Sequence, residues 1–253
     1  MWKEYSADFI KNNRSSGFSV RLSAFISALF LSLICGLFYN AWKYEVERIE
    51  MEEGGWQSRL AGEFDQEEAE FVKNFARVKD AVVNENVMDL YFDDYGAVFS
   101  DTPRIAGQMG ILQERISYNY ELLAMYLIRS KEDTAPRLLF PMFILIMALA
   151  SFSLIVIIHN AFAVSMNARI HQFGIFSSIG AAPGQILTCL LQEAAALCTV
   201  PVLAGNVLGI GGSVWLTQLS NVLLGSHIPG RHEAVPGYHP LVLILTLLIT
   251  ILT

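Results

Sequence analysis

Three stretches of this chain are nearly free of charge over lengths that cross a lipid bilayer, and that limits its fold more than any other feature. Leu22–Trp42 runs 21 residues without a charge, enough for about 30 Å of hydrocarbon at about 1.5 Å per helical residue. Leu138–Val164 likewise contains no acid, lysine or arginine, and residues 184–224 hold one charge, Glu193. Charged residues make up 16% of the chain, against ~25% in an ordinary soluble domain, and mean hydropathy is +0.42. These values identify an integral membrane protein. A hydrophobic content of 53% excludes disorder, and three cysteines in 253 residues exclude a disulfide scaffold.

The first stretch follows Lys3, Lys11, Arg14 and Arg21 and ends on Leu37, Phe38, Tyr39 and Trp42. A cleaved signal peptide wants small residues there, so an uncleaved span with an aromatic exit fits better. In the second, Pro141 falls in the first turn, where proline is tolerated. His159 and Asn160 near its other end read as interhelical hydrogen-bonding groups or as residues at the membrane interface rather than an ion pathway. The third stretch is too long for one span. The reading places the span at 190–216, with Pro201 kinking it and Gly205, Gly209 and Gly212 offering close helix packing, within or between subunits. A fourth apolar stretch, 240–253, has 14 residues, too few to cross, and is expected to be the start of a span cut off by the end of the sequence. Arg14, Arg21 and Arg169 favour a cytoplasmic N-terminus (residues 1–21) and a cytoplasmic segment at 165–189. The loop at 217–239 and the domain at 43–137 then lie outside.

Residues 44–136 hold 20 of the 24 acidic residues but 9 of the 17 basic ones, a net charge of −11. Nucleic acid is excluded as a partner, since it requires a basic face; a cationic ligand is allowed. The segment reads as a small α/β domain with helical stalks. Tyr44–Glu53 continues the first span outward and stops at Gly54-Gly55. Asp65–Glu68 forms a capping box ahead of a helix carrying Phe71, Val72 and Phe75. Ala81–Val83, Val87–Phe92 and Ala97–Phe99 read as strands, with a turn at Asp93–Gly96. Thr102-Pro103 is expected to open a long helix with an apolar stripe of Ile105, Met109, Leu112, Ile116, Tyr120, Leu123 and Leu127.

No catalytic constellation is present. The chain lacks GxxxxGK[ST], HExxH and a GxSxG with partners. Glu67/Glu68 and Asp93/Asp94 read as a solvated helix face and a turn rather than a glycosidase pair. His227, His232 and Glu233 make a poor zinc set. Cys35, Cys189 and Cys198 lie in or beside apolar helices and read as packing residues.

From Arg169 the chain reads RIHQFGIFSSIGAAPGQI, then LTCLLQEA from Leu187 to Ala194. Physically this is a short helix bounded by Gly174 and Gly180, followed by a turn at Pro183-Gly184. The order of residues resembles the FtsX-like permease family, the membrane subunits of MacB-, LolCE- and Bce-type ABC transporters. There a segment close to R-x-x-E-I-G-I-L-R-A-I-G-A precedes Q-I and a Glu-Ala step. Arg169, Gly174, Ile175, Ile179, Gly180, Ala181, Gln185, Ile186, Glu193 and Ala194 match that pattern. Gln172, Phe173 and Ser177 depart from it, Gln172 replacing an acid and Ser177 a basic residue.

The resemblance implies a four-span α-helical permease, its last span incomplete, with a small extracytoplasmic α/β domain between spans one and two. It implies a multi-pass protein of the bacterial cell membrane that holds no cofactor and does no chemistry itself. A cytoplasmic P-loop ATPase dimer, binding ATP and Mg, would dock on a coupling helix made of Arg169, Gln172, Phe173, Gly174, Ile175, Phe176, Ser177, Ile179, Gly180 and Ala181. A second permease subunit, identical or not, would complete the assembly, and Gly205, Gly209 and Gly212 would serve helix packing. Motion would reach the outer domain through stalks at Tyr44–Glu53 and in the helix ending near Arg129. Three functions compete: export or removal of a peptide- or lipid-like substrate, mechanotransmission to a cell-wall hydrolase, and, from a different class, a membrane receptor.

Overall fold

The computed structural model describes residues 14–130, 138–167, 170–178, 180–225 and 232–252, with the side chains of all but 14–16, 172, 176, 224–225 and 249–252. The chain divides into two compact units, one of Met1–Asn40 with Leu139–Thr253 and one of Ala41–Leu138. Helix α1, Arg14–Glu52, contributes residues to both. Among the described residues three helices, α1, α5 (Leu139–Asn167) and α7 (Pro183–Gly225), are long and apolar enough to cross a membrane. Between the last two lies α6, Ile170–Ser178, and α8 runs Pro240–Leu252.

In the first unit α1 touches each of the other long helices. Leu31 and Cys35 are buried with Met147 and Leu154 of α5, and Val242 of α8 packs against them. Lower on α1, Val20 meets Ala161 of α5 and Leu197 of α7. Phe38 stacks on Phe143 at 3.7 Å between ring centroids. Helix α5 leaves Ile144, Leu149, Phe152 and Val164 exposed, as a lipid-facing surface does. Where the sequence reading divides 183–225 into a turn, a span at 190–216 and part of a loop, the structure has one helix that continues through Pro201. At about 1.5 Å per residue its 43 residues outrun the ~30 Å hydrocarbon layer.

The second unit is a four-stranded antiparallel sheet with helices on one face. Strands β1 (Ser58–Ala61), β2 (Val78–Asn84), β3 (Val87–Phe92) and β4 (Ile116–Tyr118) stand in the order β2-β3-β1-β4. Met88, Leu90 and Phe92 alternate onto one face, as the two-residue period of a strand requires. There they are buried with Leu60, with Ala69 and Val72 of α2 (Gln66–Lys73), and with Val98, Ile105 and Ala106 of α3 (Val98–Gln108). Leu123 of α4 (Tyr120–Met125) completes this core. On the opposite face Asp89 is buried because Arg59, its direct cross-strand partner, covers it. A second cluster joins Val46 and Ile49 of α1 to Leu122 of α4, with Trp42, Met125 and Tyr126 packed around it.

The capping box is present: Asp65 Oδ1 accepts from Glu68 N at 2.9 Å, and Glu68 Oε2 from Asp65 N at 3.0 Å. Glu67/Glu68 therefore sit in the first turn of α2, and Asp94 caps a short 3₁₀ turn, Tyr95–Ala97, through Gly96 N. The long helix from Thr102 does not form. With Asp94 starting the turn upstream, α3 begins at Val98, so Ala97–Phe99 is not a strand and Thr102-Pro103 lies inside the helix. Thr102 is held there by a 2.8 Å hydroxyl contact with Ser58 of β1. The chain turns at Gly110, φ +72°, a conformation glycine adopts without a Cβ clash. Ile116 then enters β4, and Leu112 and Leu127 are exposed. The second stalk is accordingly no continuous helix: α4 ends at Met125. The first stalk is helical, α1 running unbroken to Glu52.

Tyr126 gives a pH-dependent prediction. Burial, reinforced by Tyr95 at 4.4 Å, pushes its phenol from 10.0 up to about 12. A raised folded-state value means that the folded chain holds the proton longer than the unfolded chain. The stability this supplies is complete below pH ~10 and is lost as pH rises toward 12. Tyr126→Phe should flatten the fall of the thermal midpoint over that interval, and an unchanged slope would show that other groups cause it.

Candidate functional site

The segment joining α5 to α7 is built from local rules. Helix α6 contains Gly174 rather than ending there, and Ser178 Oγ donates to Gly174 O at 2.9 Å. The helix is closed by Gly180, whose N donates to Ser177 O at 3.1 Å and whose φ of +93° suits glycine alone. Pro183 is not part of the turn: it is the first residue of α7, where its missing N–H costs nothing. Gln185 Oε1 reaches back to accept from Ala182 N at 3.1 Å, capping the start of α7.

Ile170, Ile175, Ser177 and Gly180 are exposed, and Phe173 and Ala181 half-buried. Among the described residues, and apart from the chain neighbours and the helix's own backbone, no atom lies within 4 Å of where a Cβ on Gly174 or Gly180 would sit. Of the other residues in the expected coupling set, Arg169 and Ile179 lie outside the described residues, as do the side chains of Gln172 and Phe176. Glu193 is buried in α7, and Cys189, four residues before it, is buried too.

Gly205 and Gly209 of α7 face α1 within the same chain. A Cβ on Gly205 would stand 2.6 Å from Phe25 O, and one on Gly209 2.6 Å from Leu29 O. Gly212 faces Leu33 less tightly, at 3.0 Å from its Cδ1. The answering surface on α1 includes Ala28, Ser32 and Gly36, every fourth residue and all buried, with Gly36 against Ser213. Ser32 Oγ donates to Asn206 O at 2.9 Å across this seam. The sequence reading missed the α1 half, though small residues at four-residue spacing were its signal.

It also missed two asparagines that hold the segment before α8. Asn221 grips the backbone of Ala234 through both N and O, at 3.1 and 2.8 Å, and Asn40 Oδ1 accepts from Gly237 N at 2.9 Å. His227 of the weighed zinc set lies outside the described residues. Among the described residues no group of three or more His, Cys, Asp or Glu is placed to hold a metal ion.

Residues 144–253 match the family model described as FtsX-like permease C-terminal. Over that stretch, less than half of its length, the chain is similar to FtsX-like permeases. No curated protein matches it. The permease match takes in most of α5 and all of α6, α7 and α8, including Gly205, Gly209 and Gly212. Helix α1 and the sheet unit precede the matched region. FtsX-like permeases are membrane subunits of ABC transporters, and the three membrane-capable helices agree with that class.

Proposed function

We propose that this chain is the membrane subunit of an ABC transporter complex, coupling ATP hydrolysis by a separate cytoplasmic ATPase to movement of the sheet unit outside the membrane. The movement serves export or removal of a peptide- or lipid-like substrate. The observation that carries the reading is the permease match over residues 144–253, which contains α6. In this reading the N-terminus is cytoplasmic, the membrane is a bacterial plasma membrane, and α8 belongs to the membrane part. The exposed face of α6 docks one ATPase of a dimer, which binds the ATP and Mg, and a second permease subunit completes the assembly. No bond is made or broken by this chain. Its part is mechanical: a displacement of α7 is transmitted to α1 because backbone contact at Gly205 and Gly209 leaves no slack between them. The unbroken α1 then carries the displacement to Glu52.

Purification of the chain from its native membrane in mild detergent, with mass spectrometry of what accompanies it, tests this. A P-loop ATPase should be recovered with the wild type and lost with Gly174→Trp. A Cβ there meets no described atom within 4 Å, so the thermal midpoint of this variant should stay near that of the wild type. No ATPase under conditions that keep other ABC complexes intact would sink the reading and bring the receptor function forward.

A further inference from the structure

We propose that the sheet unit carries a site for the anionic headgroup of an amphiphile, formed by Arg77 and Arg104. An open depression of about 370 Å³ lies between the exit of α2 and helix α3, lined by Phe75, Ala76, Arg77, Asp101, Arg104 and Gln108. Its sign is opposite to its surroundings: two guanidiniums face one carboxylate, in a segment whose net charge is −11.

Both arginines keep their donors available. Arg77 Nη1 stands 3.7 Å from Asp101 Oδ2 and Arg104 Nη1 3.8 Å from Asp101 Oδ1, beyond hydrogen-bonding distance. The side chains are 56% and 77% exposed, whereas Asp101 is 18% exposed. A guanidinium carries five N–H donors, so at these distances the carboxylate competes for the charge of the two cations while leaving their donors free for a ligand. Ser100 Oγ shares its one proton between Ala97 O at 2.9 Å and Asp101 Oδ1 at 3.0 Å. Asp101, Arg104 and Gln108 share one face of α3, at the three- and four-residue spacing of a helix. Arg77 is set by its backbone, its O accepting from Asp93 N at 3.1 Å. A phosphate suits two such forks, because charge-assisted and paired N–H···O bonds are the strong ones.

The apolar wall identifies an amphiphile rather than a free anion. Phe75 lines the depression, and Phe71 lies edge-to-face with it at 5.6 Å and is 50% exposed. An acyl chain leaving the arginines would cover these rings; inorganic phosphate has no use for them. If this is where substrate binds, the assignment rests on the transport reading. The binding itself does not, and it is measured without an ATPase.

The test is calorimetric titration of the full chain in a neutral maltoside detergent with three probes: dihexanoyl phosphatidate, dihexanoyl phosphatidylcholine and inorganic phosphate. Phosphatidate should bind saturably, and the other two at least about tenfold more weakly. Arg77→Gln and Arg104→Gln should each weaken phosphatidate by about tenfold, and Asp101→Asn, which removes the competing carboxylate, should tighten it several-fold. That gain cannot arise from misfolding. Equal affinity for phosphate and phosphatidate would overturn the amphiphile assignment. Absent saturation, or affinity unmoved by both arginine variants, would overturn the site, whether or not an ATPase co-purifies.

Discussion

Gly209→Leu is expected to separate α7 from α1 and to lower the thermal midpoint of the full chain in detergent. The first atom added already meets Leu29 O at 2.6 Å and Ser32 Cβ at 2.7 Å. A backbone carbonyl cannot rotate away as a side chain does, so the helices themselves must shift. Overpacking costs about 1–3 kcal/mol, and contact with backbone puts this case at the upper end. The shift would also break the Ser32–Asn206 hydrogen bond. Lipid supplies no hydrophobic force to press the helices back together, because acyl chains are as apolar as leucine. Gly211→Leu is the control: two residues along, a Cβ would meet nothing within 4 Å, and the midpoint should stay within about 0.5 kcal/mol of wild type. Equal losses in the two variants would refute a tight α1–α7 seam.

Arg59→Met should destabilise the sheet unit by about 2–4 kcal/mol. Asp89 is 3% exposed, accepting from Arg59 Nη2 at 3.0 Å and from Asn84 Nδ2 at 3.2 Å. Removing the guanidinium leaves a buried carboxylate with a single neutral donor. The loss also removes the stacking of Arg59 over the Trp56 ring, 4.3 Å from its centroid. Since Arg59 is itself 34% exposed, the cost falls below that of a fully buried pair. Arg59→Met combined with Asp89→Leu should recover most of the loss, because replacing both charges leaves nothing unpaired. Hydrogen exchange at the β1 and β3 amides reads both variants. Faster exchange in the single and near-normal exchange in the double is the expected pattern, and a double variant as fast as the single would contradict it.

Some features of this protein are legible without tertiary structure because their causes are local. A bilayer excludes charge over a fixed length, so the uncharged stretches mark α1, α5 and α7 from composition alone. The capping box at Asp65–Glu68 needs only residues three apart. The α6 segment could be picked out because its residue order resembles a family pattern, while its chemistry by itself describes an ordinary interfacial turn. The helix expected from Thr102 to Leu127 fails for the complementary reason. Its apolar stripe was real, yet Ile105 and Leu123 reach the core from different helices and Ile116 from a strand. A helical period measures only which residues are apolar, and Gly110 and the pairing of β4 with β1 redirect the chain between them.

The sequence by itself determined that this chain spans a membrane, that an acidic domain is inserted between its first two spans, and that it resembles FtsX-like permeases. Only the tertiary structure decided what Gly205 and Gly209 are for, since the meaning of a missing Cβ depends on the atom facing it. It likewise brought Arg77 and Arg104 to one depression. Their separation along the chain is closed by the packing of α2 and α3 on the sheet, and long-range packing of that kind leaves no mark in local sequence.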